Sequence, residues 1–335
     1  MYRFIFRIFS LFLLLVLLQN GFSQTFGNIE RNDPRLDALI PADAELEKLA
    51  EGFAWSEGPL WLKSESSLLF TDIPKNTIYK WNETDGLSVF LRPAGHAGDN
   101  PPGMELGSNG LLLTPEGQLL MCDHGNRCIS ILNQENYTKK ALVSTYEGKR
   151  FNSPNDGIFK SNGDLYFTDP PYGLAGKNDD PNKELPFNGV YRLSKNGKLT
   201  LLTDAMTFPN GIAFSPDEKT LYVAQSDPQK AIWMAYDVKA DGTIENGRRF
   251  FDATAWFKAG KKGLPDGLAV DQSGNLFATG PGGVIVFAPD GTHLGTIDTG
   301  EATANCAFGD DGATLYVTAD MYLCRIRLST KGLGY

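Results

Sequence analysis

From residue 46 onward the chain is written in short apolar runs. Four to seven residues rich in Val, Ile, Leu, Tyr and Phe alternate with clusters of Gly, Asn, Asp and Pro, which is the pattern of β-strands joined by tight turns. Asn162-Gly163, Asn196-Gly197, Asp241-Gly242, Ser273-Gly274 and Asp290-Gly291 mark such turns. No long stretch carries helical periodicity, and Ala253 to Lys262 is the one short helix expected. One stretch shows the repeating unit. Ile212 to Phe214, Leu221 to Ala224, Ala231 to Val238 and Arg248 to Phe251 read as four successive strands.

A phrase recurs six times within this pattern. An oxygen-bearing side chain stands next to a small residue, an apolar strand follows, then a turn, then a second apolar strand. The copies are Glu57-Gly58-Pro59-Leu60-Trp61, Asn109-Gly110-Leu111, Pro154-Asn155-Asp156-Gly157-Ile158, Pro209-Asn210-Gly211-Ile212-Ala213, Pro265-Asp266-Gly267-Leu268-Ala269 and Ala304-Asn305-Cys306-Ala307-Phe308. Taking Glu57, Asn109, Asp156, Asn210, Asp266 and Asn305 as the lead residues, the gaps run from 39 to 56 residues, the size of one propeller blade. The pattern therefore predicts an all-β, six-bladed β-propeller over residues 46–330. The last blade lacks a fourth strand after Arg327, and Leu46 to Ala50 is expected to supply it, closing the ring and removing an open sheet edge. Two segments are longer than a blade needs, Arg92 to Leu106 and Pro170 to Asn188. Long loops on a compact scaffold commonly line a site.

Ahead of the repeats, Arg3 and Arg7 precede an uncharged apolar run of 11 residues, Ile8 to Leu18, followed by Gly21-Phe22-Ser23. This reads as a cleaved signal peptide over residues 1–23, too short to span a membrane. It implies an exported protein, periplasmic or secreted, with no membrane association after cleavage. Residues 24–45 read as an extended leader. Loss of residues 1–23 leaves 29 basic against 40 acidic residues, a net charge of −11. Such a surface disfavours nucleic acid as a partner. Nothing in the sequence separates a monomer from a small homo-oligomer. Cys122, Cys128, Cys306 and Cys324 read as buried thiols within apolar strands. Pairs within a blade, Cys122 with Cys128 and Cys306 with Cys324, remain the alternative.

Repeat symmetry gathers equivalent positions, so the six lead side chains should meet at the hub. Three bare carboxylates there would repel one another unless a cation or raised pKa values relieved them. Asn amides add oxygen ligands without charge. An oxygen-only set points to a hard divalent cation. There is no Gly-x-Ser-x-Gly elbow, so a serine nucleophile is not expected.

Several longer phrases resemble one family. They are Ser56-Glu57-Gly58-Pro59-Leu60-Trp61, Arg150-Phe151-Asn152-Ser153-Pro154-Asn155-Asp156-Gly157, Phe167-Thr168-Asp169-Pro170-Pro171-Tyr172-Gly173, Phe208-Pro209-Asn210-Gly211-Ile212-Ala213-Phe214-Ser215 and Leu264-Pro265-Asp266-Gly267-Leu268-Ala269-Val270-Asp271. Over roughly residues 46–330 their order and spacing resemble the SMP-30/gluconolactonase/luciferin-regenerating family. The resemblance implies a six-bladed propeller that binds one divalent cation in its channel, usually calcium, with magnesium or zinc as other candidates. It places the ligands on Glu57, Asn155, Asn210 and Asp266. It implies hydrolysis of a sugar lactone such as gluconolactone to the aldonic acid.

In that chemistry the cation polarises the carbonyl and Asp266 accepts the proton of the attacking water. His124, after the second strand of blade two, is the alternative base. Asn109 and Asp156 are expected to line the channel and orient substrate. Arg127, Arg150 and His96 are candidates to contact it. Compact animal members carry Arg-Phe-Asn-Asp-Gly, whereas here Ser153-Pro154 stands between Asn152 and Asn155. Two other functions fit the same fold: a hydrolase of other specificity at this site, such as a phosphotriesterase, or a non-catalytic propeller that binds glycan or protein.

Overall fold

The computed structural model describes residues 26–98 and 103–335, and the expected signal segment lies outside them. Apolar alternation and turn chemistry produce six antiparallel blade sheets and a separate two-stranded ribbon, Thr145–Tyr146 with Lys149–Arg150. Their inner strands are Ser56–Leu62, Ser108–Leu113, Gly157–Phe159, Pro209–Phe214, Leu268–Val270 and Thr303–Gly309. Each inner strand neighbours the next, and the sixth meets the first. The molecule is a six-bladed β-propeller.

Closure follows the expected route. Leu46–Glu51 pairs antiparallel with Tyr322–Arg327, Leu46 opposite Ile326 and Glu51 opposite Tyr322. The seam to blade one is fastened by Ser56, whose backbone N–H and hydroxyl both donate to the Asp320 carbonyl at 2.9 Å.

The segment before Leu46 is more than an extended leader. Asn28–Arg31 adds a fifth, outermost strand to blade five by pairing with His293–Asp298. A 3₁₀ turn over Pro34–Ala38 follows, with the Asp33 side chain accepting from the Arg35 backbone N–H at 2.9 Å. Leu36, Leu39, Ile40 and Leu46 then pack into the core shared by blades five and six.

Blade four has the four expected strands, but each is longer: Pro209–Phe214, Thr220–Asp227, Lys230–Val238 and Ile244–Asp252. The apolar runs mark only the buried middle of each ladder, and polar ends such as Gln225 and Ser226 continue it. The short helix spans Thr254–Lys258, and the chain turns away at Gly260, where φ is +90°. All four cysteines are free and buried. Cys122 lies opposite Ile129 and Cys128 opposite Asp123, so the two thiols point to opposite faces of one sheet. Cys306 and Cys324 are separated by the strand that carries Val317, about two strand spacings of ~4.8 Å, beyond disulfide reach. Among the described residues, no helix is long and apolar enough to cross a membrane.

Candidate functional site

The glycine of the repeated phrase has a packing reason. A Cβ on Gly58 would lie 2.3 Å from the Asn109 carbonyl oxygen, one on Gly110 2.8 Å from that of Asn155, and one on Gly211 2.0 Å from that of Asp266. One on Gly267 would lie 1.9 Å from Asn305 Oδ1. In blades one, two and four the glycine thus meets the backbone at the head of the next inner strand, in blade five it meets the Asn305 side chain, and only glycine leaves room. Backbone bonds tie the same points: Gly110 N–H to the Asn155 carbonyl and Gly267 N–H to the Ala304 carbonyl, both 2.8 Å. Register shifts fall just here, between Glu57 and Leu60, Ser108 and Leu111, and Pro209 and Ile212. Such bulges re-aim a side chain out of the ladder.

This geometry corrects the register in blade three. The backbone carbonyl that meets Gly110 is that of Asn155, so Asn155 and not Asp156 is the structural counterpart of Asn109, met by Gly58, and of Asp266, met by Gly211. Conserving the spacing Asp-Gly hid this, because Pro154-Asn155 precedes it.

The loops that lead into the inner strands are held by acids at the ends of second strands. Asp169 accepts from the backbone N–H groups of Asn152 and Ser153 at 2.9 and 2.8 Å, which sets the approach to Asn155. Asp72 accepts from Ala54 N–H at 3.0 Å and so sets the approach to Glu57.

Glu57, Asn109, Asn155, Asn210 and Asp266 converge on one cavity of about 360 Å³. Trp55, Ile73, Glu105, Tyr172, Ser226 and Phe257 complete most of its wall. Glu57 and the three amides are buried, and Asp266 is half-buried. Glu57 Oε2 accepts from the Asn305 amide at 3.2 Å. Asn210 donates through Nδ2 to Ser226 Oγ at 3.0 Å, and that hydroxyl in turn donates to the Pro265 carbonyl. Burial pushes the Glu57 carboxyl up to about 8. The Asp266 carboxyl lies well above its usual range, through burial first and the Glu57 charge second. Asp266 Oδ1 is buried and has no hydrogen-bond partner.

The chain belongs to the SMP-30/gluconolactonase/LRE-like family. The family's SMP-30/gluconolactonase/LRE-like region matches residues 55–320. A gluconolactonase of Zymomonas mobilis is 42% identical over 318 residues, 92% of this chain and 88% of that one. A pentonolactonase of Haloferax volcanii is 26% identical, covering 78% of this chain and 80% of the relative. The solved structure of a gluconolactonase from Xanthomonas campestris superposes with a TM-score of 0.77 at 32% identity, over 91% of this chain and 97% of that one.

In this family member the cavity suits a hard cation. Its lining carries carboxylate and amide oxygens and no His or Cys, the donor set of calcium or magnesium rather than of a soft metal. Glu57, Asn155, Asn210 and Asp266 are the residues that would hold it, and the unpartnered Asp266 oxygen is what such an ion would satisfy.

The remaining candidates lie elsewhere. Asp156 and Asn305 face the opposite mouth of the channel, an apolar funnel of about 370 Å³ between the inner strands. His96, Arg127 and Arg150 line a separate cavity of about 600 Å³. The structure does not bring them to the hub. Arg127 is buried, with Nε donating to the Phe151 carbonyl at 2.7 Å and Nη1 to the Asn182 carbonyl at 3.0 Å, while Nη2 is buried without a partner. Arg150 is exposed on the two-residue strand Lys149–Arg150. His124 is wholly buried, with Nδ1 3.1 Å from Glu105 Oε2.

Sequence reading missed Glu105, Tyr172 and Ser226. Glu105 and Tyr172 sit in the two overlong segments, which was the available signal. Tyr172 stacks on Phe208 with ring centroids 5.7 Å apart, and its hydroxyl is buried without a partner. Ser226 lay outside the apolar core of its strand.

Proposed function

We propose that this protein hydrolyses a monosaccharide lactone, as a gluconolactonase does, with a divalent cation, calcium in the first place, held by Glu57, Asn155, Asn210 and Asp266. The observation that carries the reading is the hub cavity itself, lined by three acids and three amides, with one buried carboxylate oxygen, Asp266 Oδ1, that nothing in the protein satisfies. Similarity to a gluconolactonase over nearly the whole of both chains supports the substrate class. The volume is near the small end of ligand sites, suited to one sugar ring and not to an oligosaccharide.

When bound, the cation polarises the lactone carbonyl and favours the negative charge that grows on its oxygen as water adds. The chain's own residues do the positioning. The Asn109 amide faces the ring hydroxyls, the Tyr172 hydroxyl offers a donor with no competing partner, and Trp55 and Phe257 wall the ring from bulk water. The test is a panel of five- and six-membered aldonolactones, assayed by proton release with and without EDTA. Turnover that EDTA removes and added calcium restores is expected. No turnover of any aldonolactone would refute the reading.

A further inference from the structure

The hub holds a third acid that the ligand set leaves out. Glu105 ends the long segment before blade two and faces the same cavity as Glu57 and Asp266. Its side chain is 35% exposed, and one oxygen, Oε2, is held by His124 Nδ1 at 3.1 Å. We infer that Glu105 is the catalytic residue that takes the proton from the attacking water, and that His124 is the positioning residue that aims it. The inference rests on the lactone reading for its reaction and on the Glu105–His124 contact for its geometry.

Three arguments support this division of roles. In the proposed site Asp266 would be a ligand, and a carboxylate whose charge is drawn to a cation is a poor proton acceptor. His124 is out of reach of a substrate. It is wholly buried, its backbone N–H donates to the Gly107 carbonyl at 3.2 Å, and its carbonyl accepts from Arg127 N–H at 3.1 Å. Gly173 from the other long loop closes over it so tightly that a Cβ there would lie 3.1 Å from His124 Cβ. An imidazole that donates from Nδ1 to a carboxylate carries its proton there and leaves Nε2 bare. Here Nε2 is buried without a partner, so Glu105 is the side chain that the ring's hydrogen bond engages.

The groups that face Glu105 are Glu57 and Asp266 across the cavity and Tyr172 on the opposite loop, with Asp156 deeper in the channel. No Lys or Arg lines that cavity among the described residues, so no fixed positive side chain competes for the Glu105 carboxylate.

The step balances without another reactant. Water gives a proton to the free Glu105 oxygen as its own oxygen bonds to the lactone carbonyl carbon, and the C=O electron pair moves onto the carbonyl oxygen. The pair then returns, the bond from that carbon to the ring oxygen breaks, and the ring oxygen takes the proton back from Glu105. The product is the open hydroxy acid.

The test compares Glu105→Gln, His124→Asn and His124→Leu with the parent, reading kcat and KM, calcium affinity by calorimetry, and the His124 tautomer by ¹⁵N NMR. Glu105→Gln should lower kcat at least 10²-fold, the usual worth of a general base, with KM within threefold and calcium affinity unchanged. Asparagine keeps an N–H donor near the place of Nδ1 but is no base. His124→Asn should therefore stay within about fivefold of parental kcat, while His124→Leu falls tenfold or more. Parental kcat in Glu105→Gln overturns the inference. So does a His124→Asn variant as inactive as His124→Leu, since the imidazole itself would then carry the proton. A parent inactive on every lactone would overturn the lactone reading instead. The contact is then judged by NMR alone, where the Nδ1–H tautomer is expected and an Nε2–H tautomer refutes the arrangement.

Discussion

Replacing Asp266 by asparagine should separate the stability of the hub from its affinity for calcium. In the metal-free protein Glu57 and Asp266 share one cavity of about 360 Å³, and both carboxyls are held above their usual range. A raised carboxylate pKa makes the folded state bind more protons than the unfolded one. Its stabilising contribution is complete below the unfolded value and is lost as pH rises through the folded one. For Glu57 that window runs from 4.5 to about 8. Between pH 5 and 7 this one group removes on the order of 3 kcal/mol, at ~1.36 kcal/mol per pH unit. For a domain of this length that is roughly 5 °C in Tm, at about 2 °C per kcal/mol.

Calcium at a hundred times its Kd should return a similar ~2.7 kcal/mol. The parent, stripped with EDTA, is thus expected to melt lower at pH 7 than at pH 5 and to regain several degrees with calcium. Asp266→Asn removes one of the two charges. At pH 7 its metal-free form should melt at or above the metal-free parent, and its calcium shift should vanish. Scanning fluorimetry at both pH values, with EDTA or calcium, reads all of this. A variant that keeps more than half of the parental calcium shift refutes the ligand assignment. A metal-free parent whose Tm is flat or rising from pH 5 to 7 refutes the electrostatic account.

Deleting residues 26–51 removes the closing strand and the buried Leu36, Leu39, Ile40 and Leu46. At about 1.5–3 kcal/mol per buried side chain the loss far exceeds a point mutation, so Tm should drop by more than 10 °C; a parental Tm would sink the closure argument. Gly267→Ala forces a Cβ toward Asn305, whose amide holds Glu57 at 3.2 Å. About 1–3 kcal/mol in urea denaturation and weaker calcium binding are expected, and a variant within 0.5 kcal/mol of the parent, of equal affinity, contradicts the crowding. Tyr172→Phe deletes a hydroxyl that has no partner in the protein. Tm should be unchanged while kcat/KM falls about two- to tenfold, the worth of one hydrogen bond; unaltered kinetics would remove Tyr172 from the site.

Most of the fold was legible because blade strands announce themselves through buried alternation, and six copies fix their number. The closing strand was legible by subtraction, since Tyr322–Arg327 ends blade six one strand short. The lead residues were legible as a set, because turns alone do not place an oxygen donor before every inner strand. What the sequence hid is what depends on contact. Asn155 and Asp156 are adjacent, and only the approach of Gly110 to the Asn155 carbonyl decides which one enters the ring. Arg127 looks like a sugar ligand until its guanidinium is seen on the Phe151 and Asn182 carbonyls. Glu105 lies in a stretch without periodicity, so its position is set by His124 and not by any local pattern.

With a divalent ion held as proposed, the charge count at the hub would account for the six repeats not being alike. Six acids would place far more charge in the channel than one divalent ion offsets, and six amides would leave the ion's charge uncompensated. Of the lead residues on the cavity side, where the proposed ion would sit, Glu57 and Asp266 are acids and Asn109, Asn155 and Asn210 are neutral. The third acid of the repeats, Asp156, is turned toward the opposite funnel by the one-residue difference in blade three. Asn305 also faces that way, and spends its amide on orienting Glu57. The acid that remains on the cavity side, Glu105, comes from a loop and not from the ring, and His124 holds it by one oxygen. A symmetric scaffold thus reaches an asymmetric site in two ways: the repeats differ in which lead residues are charged, and one loop adds a carboxylate that the ring itself does not contain.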